Sequence, residues 1–431
     1  MFNRTLQERQ FPPFPENIIE GLVEEFVRLY GPLREVPDPF LWLAFATYFG
    51  NAMSQYRSLD CASSEPRLFG VAVGSSGKTK KSTGNNLARD FFKQVQNKDV
   101  PQLVIEGFGS AEGLLRRLAE NKNAPALVHL DEMNILASKT DIRGSLGIGF
   151  IHKFFEDHDY DHDLSNGDRS IKNAYLSMLG ASTLEDYTRI WGSSHEDAGS
   201  FSRFLVVGCD ESGKVVPRPL NPSQRLVDAL VEKTAGVIQE IRRKKSEIST
   251  DASAERLWQE FYHGIGTEKE WNRIDTYGFR LMAIQSALRG ENSVTKSVVQ
   301  NVIEFLQYEV ATRKLVSPVV AKHAGAEMEE IIRKFLPVFG TWISHRELSR
   351  RTNSHRHGIE VFKRAINNLY NEGEIDKKER GKSLIYTRLM PESEIVINSS
   401  DDTETEVSTN RINLSEVFSI NRHQSSTLQT D

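Results

Sequence analysis

Residues 68–83, LFGVAVGSSGKTKKST, constrain the fold of this chain more than any other stretch. An apolar, β-branched run breaks into glycines, serines and lysines, and a segment with helical periodicity follows. A strand that ends in small residues and reopens as a helix lines up backbone N–H groups around an anion. A lysine beside them reaches β- and γ-phosphates. The order predicts a nucleotide-binding P-loop made of Gly74, Ser75, Ser76, Gly77, Lys78, Thr79, Lys80, Lys81 and Ser82.

Three registers fit the loop. With its first glycine relaxed to alanine, the pattern is met from Ala72 through Gly77, Lys78 and Thr79. If the loop opens at Gly74 it reads GSSGKTK, Lys80 becomes the phosphate lysine, and Thr79 stands where glycine is usual. Gly84, Leu87 and Phe91 then fall on one helical face after that lysine. The Lys78 register instead puts Lys81, Thr83 and Asn85 early in a helix that is normally buried. Helix packing favours Lys80, the loop pattern favours Lys78, and Lys81 with Ser82 is the third register. Taken alone, a Gly/Ser/Lys surface loop would look the same.

Composition narrows the setting. At 431 residues the chain exceeds what one core usually holds, so two or three domains are expected. The formal charge of −5 argues against a wholly basic nucleic-acid coat. Cys61 and Cys209 lie far apart and outside any C-x-x-C spacing, which suits a reducing cytoplasm and gives neither a disulfide framework nor a zinc site. No apolar run reaches membrane-spanning length, and MFNRTLQERQFPPFP lacks the apolar core of a signal peptide, so no membrane partner is expected.

Prolines 12, 13 and 15 mark an extended arm. Amphipathic spacing predicts a helix over 17–30, and Asp38-Pro39 opens a more apolar one over 40–54. Beyond the loop helix come a short β-rich run at 102–105 and a helix capped by Ser110. Then ALVHLDEMN ends an apolar strand in two acids. Downstream of a phosphate loop, Asp131 would hold the water shell of Mg²⁺, with Ser82 as its partner in the loop, and Glu132 would polarise the attacking water. NAYLSMLGAST reads as a third strand whose end, Ser182 or Thr183, senses the terminal phosphate or caps the next helix. In GSFSRFLVVGCD, Arg203 precedes a fourth strand, where it would reach a phosphate of its own site or of a neighbouring subunit, or form a surface salt bridge. The cluster HKFFEDHDYDHDLSNGD offers His152, Asp157, His158, Asp159, Asp161, His162 and Asp163 as metal ligands, but alternation along an extended segment favours a polar loop instead.

The order of FPPFPENIIEGLVEEF, VAVGSSGKTKKS, GSAEGLLRRLAENKNAPALVHLDEMNILASK, YLSMLGASTLEDY and GSFSRFLVV resembles the primase-helicase-like P-loop ATPases carried by phages, plasmids and integrated elements. The resemblance covers roughly residues 10–310. It implies an α/β, RecA-like core that binds Mg-ATP and acts on DNA as a homo-oligomer, up to a hexameric ring, with a primase or other replication partner. It carries roles to Lys80 (or Lys78), Asp131, Glu132 and Arg203. The chain departs from the family at Thr79-Lys80-Lys81, where a small residue, lysine and Ser/Thr are usual, so slow turnover or binding without hydrolysis is expected.

Helical periodicity dominates residues 220–320, with Leu226, Leu230 and Val237 inward in one segment and Phe279, Met282, Ala283 and Ala287 in another. Arg273 or Arg280 is a second phosphate sensor there or an ordinary helix-surface arginine. From residue 326 three helices and a hairpin turning at Arg380-Gly381-Lys382 describe a winged helix-turn-helix, with Ile359, Phe362, Ile366 and Leu369 inward on the longest helix. Residues 345–388 hold eleven lysines and arginines against six acids. The excess falls on Arg350, Arg351, Arg356, Lys363, Arg364, Lys377, Lys378, Arg380 and Lys382, the surfaces that would meet DNA. Beyond Pro391 the chain carries eight acids against two arginines and few large apolar residues, so disorder is expected. The expected parts are N-terminal helices (1–60), a P-loop ATPase core (61–215), a helical appendage (216–322), a winged helix (323–390) and an acidic tail (391–431). The function expected is an ATP-hydrolysing, helicase-like DNA motor or loader, with a nucleotide-gated DNA-binding switch as the alternative.

Overall fold

The structure is a computed structural model that describes residues 10–55, 58–60, 65–75, 77–121, 124–133, 149–162, 169–190, 199–245, 247–317, 324–337, 339–381 and 383–389. In chain order α1 (Leu22–Tyr30) and α2 (Asp38–Met53) lead into β1 (Phe69–Val73), α3 (Lys81–Gln96), β2 (Leu103–Glu106), α4 (Ala111–Glu120) and β3 (Ala126–His129). There follow α5 (Gly149–Glu156), the pair β4 (Tyr160–His162) and β5 (Arg169–Ile171), β6 (Ser177–Ser182), α6 (Leu184–Ile190) and β7 (Leu205–Gly208). Next come α7 (Gln224–Lys244), β8 (Ser249–Thr250), α8 (Ala252–His263), α9 (Ile274–Leu288), β9 (Ser293–Val294) and α10 (Lys296–Val316). The last stretch holds α11 (Ala324–Phe335), β10 (Ile343–Ser344), α12 (His345–Arg351), α13 (Ser354–His357), α14 (Ile359–Asn371), β11 (Ile375–Arg380) and β12 (Ser383–Arg388). The acidic tail lies outside the described residues.

The architecture is mixed α/β, organised on a five-stranded, all-parallel sheet in the order β2-β3-β6-β1-β7. Its strands are apolar on both sides because helices cover both faces. Strand alternation sends successive side chains of β1 to opposite faces. Phe69 packs edge-on against Phe155 of α5, while a Cβ at Gly70 would stand 2.9 Å from Leu43 of α2. The missing side chain is what lets α2 lie directly on the sheet. That helix is apolar around nearly its whole circumference, and it is buried from Phe40 to Met53. From it Trp42 meets Phe305, Phe45 meets Phe26 and Phe91, and Tyr48 stacks on Phe92.

β7 is an edge strand, yet its free amides are not left to solvent. Val206 N–H donates to both carboxylate oxygens of Glu309 (3.0 and 3.1 Å) and Gly208 N–H donates to the Tyr308 hydroxyl at 2.9 Å, so side chains of α10 complete the ladder. Arg313, one turn on, donates to Glu309 at 2.9 Å and to the carbonyls of Glu270 and Asn272. The arm at Pro12–Pro15 is also tied down. Phe11 lies against Gly208 and donates its N–H to Asp210, and Phe14 meets Trp42, Phe305 and Tyr308 edge-on.

One continuous apolar core runs from Phe11 to Val316, so the N-terminal helices, the sheet and the helices of 216–322 share it. In α7 the inward face is Val227, Leu230, Val231, Ala235, Ile238 and Ile241, and Leu226 is 57% exposed, one residue off the expected stripe. A second, separate cluster of Met328, Ile332, Leu348, Phe362, Ile366 and Leu369 holds the C-terminal module together. There β10, β12 and β11 form an antiparallel sheet beside α11, α12 and α14. The expected single helix of 356–371 is two, because Gly358 (φ 96°) breaks α13 from α14, and this turn leaves Ile359 45% exposed.

Candidate functional site

Three strands that are neighbours in the sheet, β3, β6 and β1, all end at the same edge. In a parallel sheet the carboxyl ends of strands, where connections leave in opposite directions, form a crevice. Here the crevice is a cleft of about 250 Å³ lined by Gly77, Lys80, Lys81, Ser82, Thr83, Asp131, Glu132, Ser182, Thr183 and Asp186. The loop after β1, the acids after β3 and the hydroxyls after β6 are therefore brought together, as the sequence order implied.

The loop turns tightly at its start. A Cβ on Gly74 would stand 2.6 Å from the Cys209 carbonyl oxygen, so glycine alone fits. Thr79 is buried, and its hydroxyl donates to the Ser75 carbonyl at 3.0 Å. Lys80 sits just before α3 in the left-handed region (φ 48°), a conformation that costs a non-glycine residue roughly 1 kcal/mol. Its Nζ stands 4.0 Å from Glu35. Lys81 opens the helix, and its ammonium folds back over the loop, donating to the carbonyls of Gly74 and Ser75 at 2.9 Å each. Burial lowers its pKa, opposed by the charges of Glu185 and Asp186. Lys78 pairs with Glu211 at 2.8 Å outside the cleft. Of the three lysines it is thus Lys81, followed by Ser82, that lies across the loop, whereas helix packing had favoured Lys80. Ser76 lies outside the described residues.

Asp131 and Glu132 are exposed at the cleft and held in place by sheet bonds on either side, Leu130 N–H to the Leu179 carbonyl and Met133 N–H to that of Ala181. The two candidate sensor hydroxyls divide their work. Thr183 accepts from Asp186 N–H at 3.0 Å and caps α6, whereas Ser182 is buried with no hydrogen-bond partner for its Oγ among the described residues. The oxygen donors of Ser82, Asp131 and Glu132 suit a hard cation such as Mg²⁺, and the orphaned Ser182 hydroxyl at the same cleft suits a ligand with acceptor oxygens.

Arg203 falls elsewhere. It precedes β7, and Leu205 pairs with Gly70, so Arg203 lies at the amino end of the sheet, on the order of 20 Å of strand from Gly74. It cannot reach the cleft of its own chain. Its guanidinium, itself buried, donates to the exposed Glu156 carboxylate (3.1 Å) and to the Gly199 carbonyl (2.9 Å), so the salt bridge considered from sequence is present. Burial lowers its pKa, with Arg273 adding to the effect. Arg273 shares the Glu156 carboxylate at 2.5 Å. Arg280 is not a helix-surface arginine: it is buried, stands 4.1 Å over the Phe155 ring, and donates to the carbonyls of Arg67 and Phe155. Burial pushes its pKa down to about 9.

The His/Asp cluster does not assemble as a metal site among the described residues. His152 bonds Ser200, His158 stacks on Tyr175 beside Glu65, and Asp157 pairs with Lys153, which holds its carboxyl down at about 2. The side chains of Asp161 and His162, and Asp163 altogether, lie outside the described residues.

On the C-terminal module Arg350, Arg356, Lys363, Arg364 and Arg380 are exposed. Lys377 and Lys378 lie over the rings of Tyr370 and Trp342, at 3.9 and 3.7 Å. Lys382 lies outside the described residues. Arg350 and Arg351 both pair with Glu347, and with Phe335 and Leu336 they line a cavity whose other wall is Ser75, Glu185 and Asp210. The basic face thus begins beside the loop.

Sequence reasoning passed over His129, which sits inside the apolar run before the acids. Its ring is buried between Tyr48, 2.9 Å from Nδ1, and Asp131, 3.9 Å from Nε2. A histidine two residues before a carboxylate on one strand face was the available signal. No helix among the described residues is long and apolar enough to cross a membrane. No protein-family model matches the chain, and no curated protein matches it either.

Proposed function

We propose that this protein is a P-loop ATPase with a RecA-like core and a C-terminal winged helix, a helicase-like DNA motor or loader that works as an oligomer. The observation that carries the reading is the meeting of a glycine-serine-lysine loop, a paired Asp-Glu and an unengaged serine in one cleft at the carboxyl ends of β1, β3 and β6. In this reading Lys81 leaves the carbonyls of Gly74 and Ser75 for the β- and γ-phosphates, and the loop amides replace its hold on the turn. Asp131 and Ser82 would hold Mg²⁺, which when bound supplies charge neutralisation for phosphoryl transfer. Glu132 orients water at the terminal phosphate and accepts its proton, and Ser182 donates its hydroxyl to the same group. Arg203, far from its own cleft, serves only a neighbouring subunit's site, by exchanging Glu156 for phosphate.

The exposed arginines and lysines of the C-terminal module give it the charge for duplex phosphates. A specific observation favours the nucleotide-gated switch as a second reading. Arg350 and Arg351 line a cavity with Ser75 and Glu185, so a change in the loop bears directly on two DNA-facing residues.

Titration calorimetry of the full chain with ATP and Mg²⁺ tests the core of this reading, and absence of uptake overturns it. ATP hydrolysis stimulated by DNA, together with strand displacement, supports the motor. Uptake of nucleotide that alters DNA affinity without strand displacement supports the switch.

A further inference from the structure

We infer that His129, held by Tyr48, is a positioning residue for Asp131, fixing the carboxylate that would hold the cation in the cleft. This inference rests on the nucleotide reading above and assigns the geometry of its metal side.

The Tyr48 hydroxyl lies in the core, where burial pushes its pKa well above the usual phenol range, so the group keeps its proton. Among the described residues its hydrogen-bond partner is Nδ1 of His129, at 2.9 Å. Two arrangements are open to that pair. If Nδ1 carried the proton, the phenol hydrogen and the bare Nε2 would both stand buried and unsatisfied. If Tyr48 donates, Nδ1 is the acceptor and the ring must carry its hydrogen on Nε2. The second arrangement leaves one buried N–H, and Nε2 has no partner within hydrogen-bond distance among the described residues.

That N–H faces Oδ1 of Asp131 across 3.9 Å. The imidazole is 2% exposed while the Asp131 side chain is 72% exposed, so the ring is the fixed element and the carboxylate the movable one. Asp131 follows His129 by two residues, just past the end of β3. A small rotation of Asp131 closes the gap, satisfies the orphaned N–H and leaves the second carboxylate oxygen for the cleft. Carboxylates that bind cations are commonly oriented by such an outer hydrogen bond, whose loss weakens metal binding by about 10–100-fold.

The test compares ATP affinity of the full chain by calorimetry with Mg²⁺ and with EDTA. In the wild type Mg²⁺ tightens binding. In His129→Leu that tightening falls by about tenfold or more while the metal-free affinity stays within about twofold. His129→Gln, which places an amide N–H at similar reach, restores most of it. Tyr48→Phe frees the tautomer and loses part of it, and adding Tyr48→Phe to His129→Leu loses nothing further. A leucine variant with wild-type Mg²⁺ tightening overturns the inference and leaves the nucleotide reading standing. So does equal loss of both affinities with no rescue by glutamine, which is the mark of a damaged cleft. Wild-type protein that takes up no nucleotide in either condition overturns the nucleotide reading and this inference with it.

Discussion

The two ends of the central sheet differ in what their polar groups are spent on. At the amino end Arg67, Arg280 and Arg313 are almost fully buried and bond mainly to backbone carbonyls, among them those of Phe154, Phe155, Ser202 and Phe204, although the Nε atoms of Arg67 and Arg203 have no partner among the described residues. At the carboxyl end Ser182 Oγ and His129 Nε2 have no partners among the described residues, two acids are exposed, and a lysine holds a left-handed turn. A buried guanidinium is retained only when it is hydrogen-bonded, so the first end reads as a framework. An unsatisfied hydroxyl and local strain meet at one cleft, as the proposed nucleotide site requires. Charge alone does not separate the two ends; what sets the cleft apart is that exposed acids, a left-handed lysine and an unsatisfied serine hydroxyl meet there.

The largest way to break that contrast is at the framework. Arg280→Ala strips donors from the carbonyls of Arg67 and Phe155 and opens a cavity against the Phe155 ring. A loss of about 3–5 kcal/mol in unfolding free energy is expected, measured by urea denaturation. A loss below about 1 kcal/mol would mean that the amino end is not the framework it looks to be.

The mirror experiment is at the cleft. Glu132→Gln keeps the shape of an exposed side chain and removes its basicity, so melting temperature should hold while ATP hydrolysis falls by at least about 100-fold, near 2.7 kcal/mol on the barrier. Asp131→Asn should also leave stability nearly unchanged and weaken the effect of Mg²⁺ on binding. If either substitution unfolds the protein, the acids belong to the framework after all.

Glu309 sharpens the comparison from the side of the sheet. Burial pushes its carboxyl up to about 7, against the pull of Arg313 and the Val206 amide. The folded state therefore keeps a proton that the unfolded chain releases near 4.5. Between those values unfolding releases a proton, so stability falls as pH rises through the window, by up to about 1.4 kcal/mol per unit. Glu309→Gln should flatten that slope in a series of denaturation curves from pH 5 to 8, and an unchanged slope would assign it to another group.

Much of this contrast was legible in the chain and some was not. The order of strand, loop, acids and hydroxyls foretold which segments meet, because a parallel sheet collects strand ends at one edge. That Arg203 falls at the far end followed from the same rule, since it precedes its strand, but an arginine near a motif invites a phosphate role. Arg67 and Arg280 were passed over or left at the surface because burial of arginine depends on carbonyls brought together by distant segments. Leu226 and Ile359 missed their faces by one position, where small phase errors in a helix exchange an inward residue for an outward one. The left-handed backbone angle at Lys80, which lets Lys81 fold back over the loop, could not be read from residue types.

That angle supplies the smallest prediction and the sharpest. Lys80→Gly removes a Cβ from a left-handed turn, which should raise stability by about 1 kcal/mol or slightly less, because glycine also loosens the unfolded chain. At the framework end such a change would touch nothing but stability. At the cleft it also asks which lysine serves the phosphates. If Lys81, which folds over the loop onto the Gly74 and Ser75 carbonyls, does, Lys80→Gly should keep ATP affinity within a few-fold while Lys81→Ala abolishes it. If Lys80 does, the glycine variant will be the more stable protein and the one that no longer binds. Stability gained and binding kept would mean that the strain at the loop is incidental. Stability gained and binding lost would mean that the cleft carries it for the ligand.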